Sequence, residues 1–245
     1  MGTGKWLICR RSFFAGRMPK KLYSASPSLP ITGIIGSQVV RMFEDVPSPI
    51  DLRVMRDALE WESSAQSKRP YRVQFFAKFV SLIQGMSPLP ERMLELGSGP
   101  GFLAEYLLKN VNLSTYVALD FSSAMHQLAQ RRLGPRAAQV QFIERDFRDD
   151  DWADGLGQFT CVVTHQAVHE LRHKRHAMRL HAQVKALLLP GAPYLVCDHF
   201  AGVDGMAHDQ LFMTVEEQRT ALLTVGFSTV EQLLLHGGLV LHRAT

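Results

Sequence analysis

Met93-Leu-Glu-Leu-Gly-Ser-Gly-Pro-Gly101 is a short apolar run that ends in a glycine turn, and Asp120 follows nineteen residues past Gly101, in Tyr116-Val-Ala-Leu-Asp-Phe-Ser-Ser123. Between them Phe102-Leu-Ala-Glu-Tyr-Leu-Leu108 has helical spacing, so the order is strand, turn, helix, strand, carboxylate. This is the front half of a nucleotide-binding βαβ unit. Its glycines let backbone approach a ligand, and its acid accepts hydrogen bonds from ribose hydroxyls. Such a unit can hold NAD, FAD or S-adenosylmethionine. Gly99-Pro-Gly101-Phe-Leu-Ala104 fits the G-x-G-x-x-A form, which keeps NAD open. Glu95, two residues before Gly97, argues the other way: it would repel a pyrophosphate and attract an ammonium or sulfonium group in a poorly hydrated cleft. A Glu95 turned to solvent would carry no such meaning.

The blocks Glu95-Leu-Gly-Ser-Gly-Pro-Gly101 and Asp120-Phe-Ser-Ser-Ala-Met125 together resemble the first two motifs of the class I S-adenosylmethionine-dependent methyltransferases. The resemblance extends over roughly residues 90–245. It implies a doubly wound, mostly parallel seven-stranded α/β sheet with an antiparallel last strand, preceded by a helical lid. It also implies S-adenosylmethionine as cofactor, held by Glu95, Gly97, Ser98, Gly99, Gly101, Asp120, Phe121, Met125, Asp146, Phe147 and His165. Within the lid, Tyr71 and Arg72 read as reaching the cofactor carboxylate, with surface decoration the alternative for Arg72. Asp120 would take both ribose hydroxyls, since a carboxylate accepts two hydrogen bonds at once. Met125 would cover the adenine face or pack in the core, and Asp146 would approach the adenine amino group or cap the next segment.

The 245 residues, 46% of them hydrophobic, suit one domain with a small appendage. The longest apolar runs are too short to span a membrane. Cys9, Cys161 and Cys197 are an odd, widely spaced set, which fits a reducing cytoplasmic setting rather than a disulfide scaffold. Residues 1–43 carry seven of the 27 basic residues and no acid, which leaves 20 basic against 23 acidic residues in the remainder. The body therefore lacks the basic excess of a nucleic-acid-binding enzyme. The basic arm reads as a loosely held extension, as an organellar transit peptide, or as coding sequence ahead of a start at Met18.

Along the chain, residues 1–49 read as arm and linker, 50–90 as a helical lid and 91–245 as the cofactor-binding core. Leu52, Met55, Leu59 and Trp61 mark one amphipathic helix; Val73, Phe75, Phe76, Phe79, Val80 and Ile83 mark another. Strand-like runs at 93–96, 115–120, 140–144, 159–164 and 193–198 alternate with helical segments near 102–109, 122–132 and 166–188. A helix near 215–224 and two strand-like runs, 229–235 and 239–243, complete the pattern.

The chemistry gathers in Thr164-His-Gln-Ala-Val-His169-Glu-Leu-Arg-His173 and in Cys197-Asp-His199, both just past strand ends, where doubly wound sheets bind ligands. His165, His169 and His199 are the candidate catalytic residues, since a near-neutral imidazole can take a proton from a methyl acceptor. Members of the resembled family that methylate adenine or glutamine amides carry N/D-P-P-Y/F at this point. Thr-His-Gln-Ala stands here instead, which implies an O or N of a small molecule as acceptor. His169-Glu-Leu-Arg-His173 also matches H-E-x-x-H, but a third metal ligand and the longer zinc signature are missing, and no metal is expected. An NAD-dependent oxidoreductase, a non-catalytic cofactor-binding subunit and an RNA methyltransferase are the competing functions; oligomeric state is unreadable.

Overall fold

A computed structural model describes residues 44–245, so the basic arm at 1–43 and the readings attached to it lie outside the described residues. The apolar runs form seven strands: β1 (Arg92–Leu96), β2 (Thr115–Asp120), β3 (Val140–Glu144), β4 (Cys161–His165), β5 (Tyr194–His199), β6 (Val230–His236) and β7 (Leu239–Ala244). They pair in the order β3-β2-β1-β4-β5-β7-β6. The first five strands are mutually parallel, and β7 runs antiparallel to both β5 and β6. This is the doubly wound sheet with a reversed last strand that the sequence implied. The chain winds outward from β1 in one direction and from β4 in the other, so the crevice for a ligand opens over the carboxyl ends of that neighbouring pair.

Six helices flank the sheet among the described residues: α1 (Met55–Lys68), α2 (Arg72–Gln84), α3 (Phe102–Asn110), α4 (Ser123–Leu133), α5 (Ala177–Leu187) and α6 (Val215–Thr224). Because successive strand residues face opposite ways, Leu94, Leu96, Val162 and Val196 pack with Leu180 and Val184 of α5 on one face. Met93, Tyr116, Val163 and Leu195 pack with Phe75 and Phe79 of α2 and Leu107 of α3 on the other. Glu95 shares the parity of Met93, so its carboxylate lies on the α2–α3 face, inside the protein.

Three expectations need correction. Leu52 precedes α1, although it packs with Met55 and Trp61 against the cluster around Ala58, and Leu59 is 40% exposed; the residues α1 buries are Ala58 and Ala65. Val73, likewise, is 51% exposed. More consequential is 166–188, which is not one helix. Gln166 and Arg172 take left-handed backbone (φ 59° and 64°), Val168–Leu171 and Lys174–His176 are short 3₁₀ turns, and only α5 is α-helical. Contacts distant in sequence impose the break: the Arg172 guanidinium donates to the carbonyls of Val46 and Pro47, and its own carbonyl accepts from Val46 N–H at 2.7 Å. Among the described residues no helix is long and apolar enough to cross a membrane.

Candidate active site

The turn after β1 is held by backbone. Ser98 N–H donates to the Leu119 carbonyl at 3.0 Å, and Gly101 N–H donates to the Ser98 carbonyl at 3.1 Å. Gly97 has φ +65°, and a Cβ there would stand 2.3 Å from the Cβ of Ala167. Only glycine fits this close approach. Asp120, at the end of β2, accepts from Gly99 N–H (2.8 Å) through one oxygen and from Ser122 N–H (3.0 Å) through the other. Each oxygen keeps a lone pair for a ligand. Burial raises Asp120 to about 6. Ser122 caps α4 by accepting from Met125 N–H at 3.1 Å, which seats Met125 at the base of the crevice.

Above this turn lies a cavity of about 290 Å³. Glu95, Gly97, Ser98, Gly99, Asp120, Phe121, Met125, Phe147, His165, His169, His199 and Arg72 all line it. Glu95 is 2% exposed, and Tyr116 O–H donates to its carboxyl at 2.6 Å. Burial, with help from the Asp120 charge and against the Tyr116 bond, raises Glu95 to about 8. The solvent-facing alternative for Glu95 is thereby removed. Arg72, also buried, donates to Gln166 Oε1 at 2.5 Å and lies over the rings of Trp61 and Phe102. It takes part in no ion pair among the described residues, and burial lowers it to about 10. Gly101 does not reach the cavity; it serves as N-cap of α3, where a Cβ would press on Ala129 at 3.0 Å.

Asp146 is placed elsewhere. It lies in an adjoining cleft that shares Phe121 and Phe147 with the main cavity. There Arg53 (2.9 Å) and Arg148 (2.6 Å) both pair with its carboxylate, which, against the effect of burial, hold it below the ordinary carboxylate range. Its carboxylate is committed to those two arginines, and the structure does not bring it to the main cavity.

The three candidate histidines have three different environments. His165 is ringed by Phe75, Phe76 and Phe79 (5.0–6.4 Å between centroids), and its Nε2 is buried without a partner. Burial and the nearby Arg72 charge press its pKa well below the ordinary value, so it stays neutral. His199 places Nδ1 3.3 Å from the Gly238 carbonyl and Nε2 2.8 Å from Gln166 Nε2. Those neighbours select Nδ1–H donating and Nε2 accepting. Burial and the adjacent His169 lower it to about 4. His169 differs from both. Burial opposes its charging, but Asp198 Oδ1 stands 2.7 Å from its Nδ1 and carries its pKa above the ordinary histidine value. Asp198 is buried too, yet His169 and His199 hold it below the usual carboxylate range, and the two backbone N–H groups of these residues donate to it at 2.8 and 2.7 Å. A buried carboxylate thus fixes His169 with Nδ1–H toward Asp198 and Nε2 on the other side of the ring, 3.4 Å from a Glu170 oxygen.

Sequence reasoning passed over Asp198, Gln166, Lys68 and Arg69, although the last three line the same cavity. The signal for Asp198 was its place beside His199 at the end of an apolar strand; its partner became visible only when β5 was set beside β4. His169 and His173 do not share a helix face, because the H-E-x-x-H stretch is a 3₁₀ turn that ends at a left-handed Arg172, and His173 Nδ1 accepts from Arg175 N–H instead.

Residues 93–191 match a protein-family model described as a methyltransferase domain. The match spans 99 of the 245 residues. The fold of this methyltransferase domain recurs in solved structures of low identity. DhpI in complex with SAM and HEP has a TM-score of 0.60 at 17% identity, covering 89% of this chain and 100% of that one. Human N-acetylserotonin methyltransferase in complex with SAM has a TM-score of 0.61 at 15% identity, over 79% of this chain and 56% of that one. An O-methyltransferase family protein from Burkholderia thailandensis has 0.59 at 14% identity, over 79% and 63%. Curated relatives match over short pieces. A thiazole synthase of Nitrosospira multiformis is 68% identical over 28 residues, 11% of either chain. A non-reducing polyketide synthase of Penicillium brasilianum is 24% identical over 124 residues, 5% of its length.

Proposed function

We propose that this chain transfers a methyl group from S-adenosylmethionine to an oxygen or nitrogen of a small molecule. One observation carries the proposal: Glu95 and Arg72 are buried on the wall of one cavity with opposite formal charges, and neither is neutralised by an ion pair. Unpaired buried ionisable groups are costly. An amino-acid zwitterion would satisfy both, with its carboxylate on Arg72 and its ammonium on Glu95. Gly97, Ser98 and Gly99 would lie beneath that end, Asp120 would hold the ribose, and Phe121, Met125 and Phe147 would enclose the base. NAD lacks the zwitterion, and its pyrophosphate would face Glu95.

When bound, the cofactor supplies an electrophilic methyl carbon and leaves as the neutral thioether S-adenosylhomocysteine. His169 takes the proton of the acceptor on Nε2 while Asp198 holds Nδ1–H and stabilises the imidazolium that forms. His165, neutral and enclosed by phenylalanines, shapes the wall. His199 orients Gln166, which in turn fixes Arg72. The helices α1 and α2 exclude water over the crevice. Small-molecule acceptors fit this cavity and the acid-rich balance of the body better than a nucleic acid does.

Calorimetric titration with S-adenosylhomocysteine, beside NAD, tests the proposal on the wild type, Asp120→Ala and Arg72→Gln. Micromolar binding of S-adenosylhomocysteine that both variants weaken at least tenfold is expected. Binding of NAD instead overturns the methyltransferase reading.

A further inference from the structure

Resting on the methyltransferase reading, we propose that the methyl acceptor is an acid: a compact molecule whose carboxylate or phosphonate docks on Lys68 and Arg69 while its hydroxyl or amine meets His169. Lys68 closes α1 and Arg72 opens α2, so residues 68–71 form the corner between the two helices. Pro70 helps to make that corner, since it restricts the residue before it and Arg69 leaves the helix at φ −141°, ψ 64°. Tyr71 pins the corner to the rest of the fold: its ring covers the turn between β6 and β7 and meets His236 edge-on at 5.4 Å.

This anchoring presents two cations to the cavity. Lys68 and Arg69 both line it. Neither takes part in an ion pair among the described residues, and the one hydrogen bond of the Arg69 side chain there is to the Lys68 carbonyl at 3.1 Å. Other cations beside the crevice have carboxylate partners: Arg53 and Arg148 share Asp146, and Arg132 pairs with Glu62, while Arg72 is claimed by the cofactor carboxylate. Of the acids that line the cavity, Glu95 and Asp120 are claimed by the two ends of the cofactor. Glu170 lies between His169 Nε2 (3.4 Å) and Arg172 (3.5 Å). The surplus charge of the cavity is therefore positive, and it sits at the corner.

The corner also sits at the acceptor's end. The Tyr71 ring at this corner lies against Gly237, and the carbonyl of the next residue, Gly238, stands 3.3 Å from His199 Nδ1, which puts the corner over the end of β5. Beside that strand end Phe212 lies against His169 and His199, at 5.5 and 5.7 Å between ring centroids, and Met206 completes an apolar wall. A flat apolar body between these side chains, with an oxyanion at one end and a nucleophile at the other, matches the three features in order. A guanidinium and an ammonium bind carboxylate and phosphonate alike, so the two classes share this chemistry.

The test uses protein saturated with S-adenosylhomocysteine, so that Arg72 is already engaged. Calorimetry then compares 4-hydroxybenzoate and salicylate with their amides, and 4-hydroxyphenylphosphonate with its diethyl ester. At least one acid should bind tenfold or more tightly than its neutral counterpart. The Lys68→Gln, Arg69→Gln double variant should erase that preference, Arg69→Lys should keep most of it, and affinity for S-adenosylhomocysteine should hold within a few-fold in both. Acids that bind no better than their neutral counterparts, or a preference that survives the double variant, overturn the proposal and leave the cofactor assignment standing. Failure of the wild type to bind S-adenosylhomocysteine at all strikes the methyltransferase reading itself. Carboxylate against phosphonate preference assigns the acid class.

Discussion

Raising the pH from 6.5 to 8 should tighten S-adenosylhomocysteine binding roughly fifteen-fold, and Glu95→Gln should flatten that response. The magnitude follows from the burial of Glu95, which raises its carboxyl to about 8. Only the ionised form can hold the ligand's ammonium. With a pKa of about 8, the ionised fraction is roughly 3% at pH 6.5, a tenth at pH 7 and a half at pH 8. Binding at pH 7 should therefore release about 0.9 proton per ligand, provided that the ammonium keeps Glu95 ionised in the complex. Asp120, at about 6, is mostly ionised throughout this range and adds little. Titrations in phosphate and in Tris, whose ionisation enthalpies differ, measure that proton directly. Glu95→Gln retains an acceptor for Tyr116 O–H and loses both the proton release and the pH slope. The ligand-free fold should respond in the opposite sense. A carboxyl raised in the folded state contributes stability that is complete below its ordinary value of 4.5 and is lost as pH rises through about 8. The wild-type melting temperature should thus fall over that window, and Glu95→Gln should reduce the fall. Buffer-independent binding heats, together with an unchanged pH slope in the variant, would refute this account of Glu95.

Asp198→Asn removes the charge that raises His169 while its burial remains, so the acid limb of kcat/KM should move to lower pH and kcat should drop about 10²–10⁴-fold; an unmoved limb would show that His169 is not the base. Gly97→Ala combines a left-handed backbone, about 1–2 kcal/mol, with a Cβ 2.3 Å from that of Ala167, about 1–3 kcal/mol more, so calorimetry should show a melting temperature lower by several degrees and S-adenosylhomocysteine binding should suffer. An unchanged melting temperature would mean that the turn relaxes freely. Gly237→Ala places a Cβ 2.5 Å from the Tyr71 ring at φ +58°, which should free the corner between α1 and α2 and speed tryptic cleavage after Lys68; cleavage at the wild-type rate would show that Tyr71 does not hold that corner.

The sheet was legible because its evidence is local. Each strand is a short apolar run bounded by a turn, and the glycines at 97, 99 and 101 announce where the chain must double back. The 166–188 segment misled for the same reason: Val168, Leu171, Ala177, Leu180 and Val184 keep helix-compatible spacing and are all buried, so nothing local separates two 3₁₀ turns from a helix. The carbonyls of Val46 and Pro47, more than 120 residues away, decide it. Asp146 illustrates the same dependence, since Arg53, 93 residues earlier, helps to take up its carboxylate. The histidines carry the point furthest. From sequence His165, His169 and His199 are equivalent, three imidazoles past strand ends. Folding enclosed the first in phenylalanines, turned the second toward a buried carboxylate and gave the third to an amide. What separates a proton acceptor from a wall is therefore the partner across the strand boundary, and Asp198 reaches His169 only because β4 and β5 lie side by side in parallel register. A base in this cleft is a property of sheet order before it is a property of any residue.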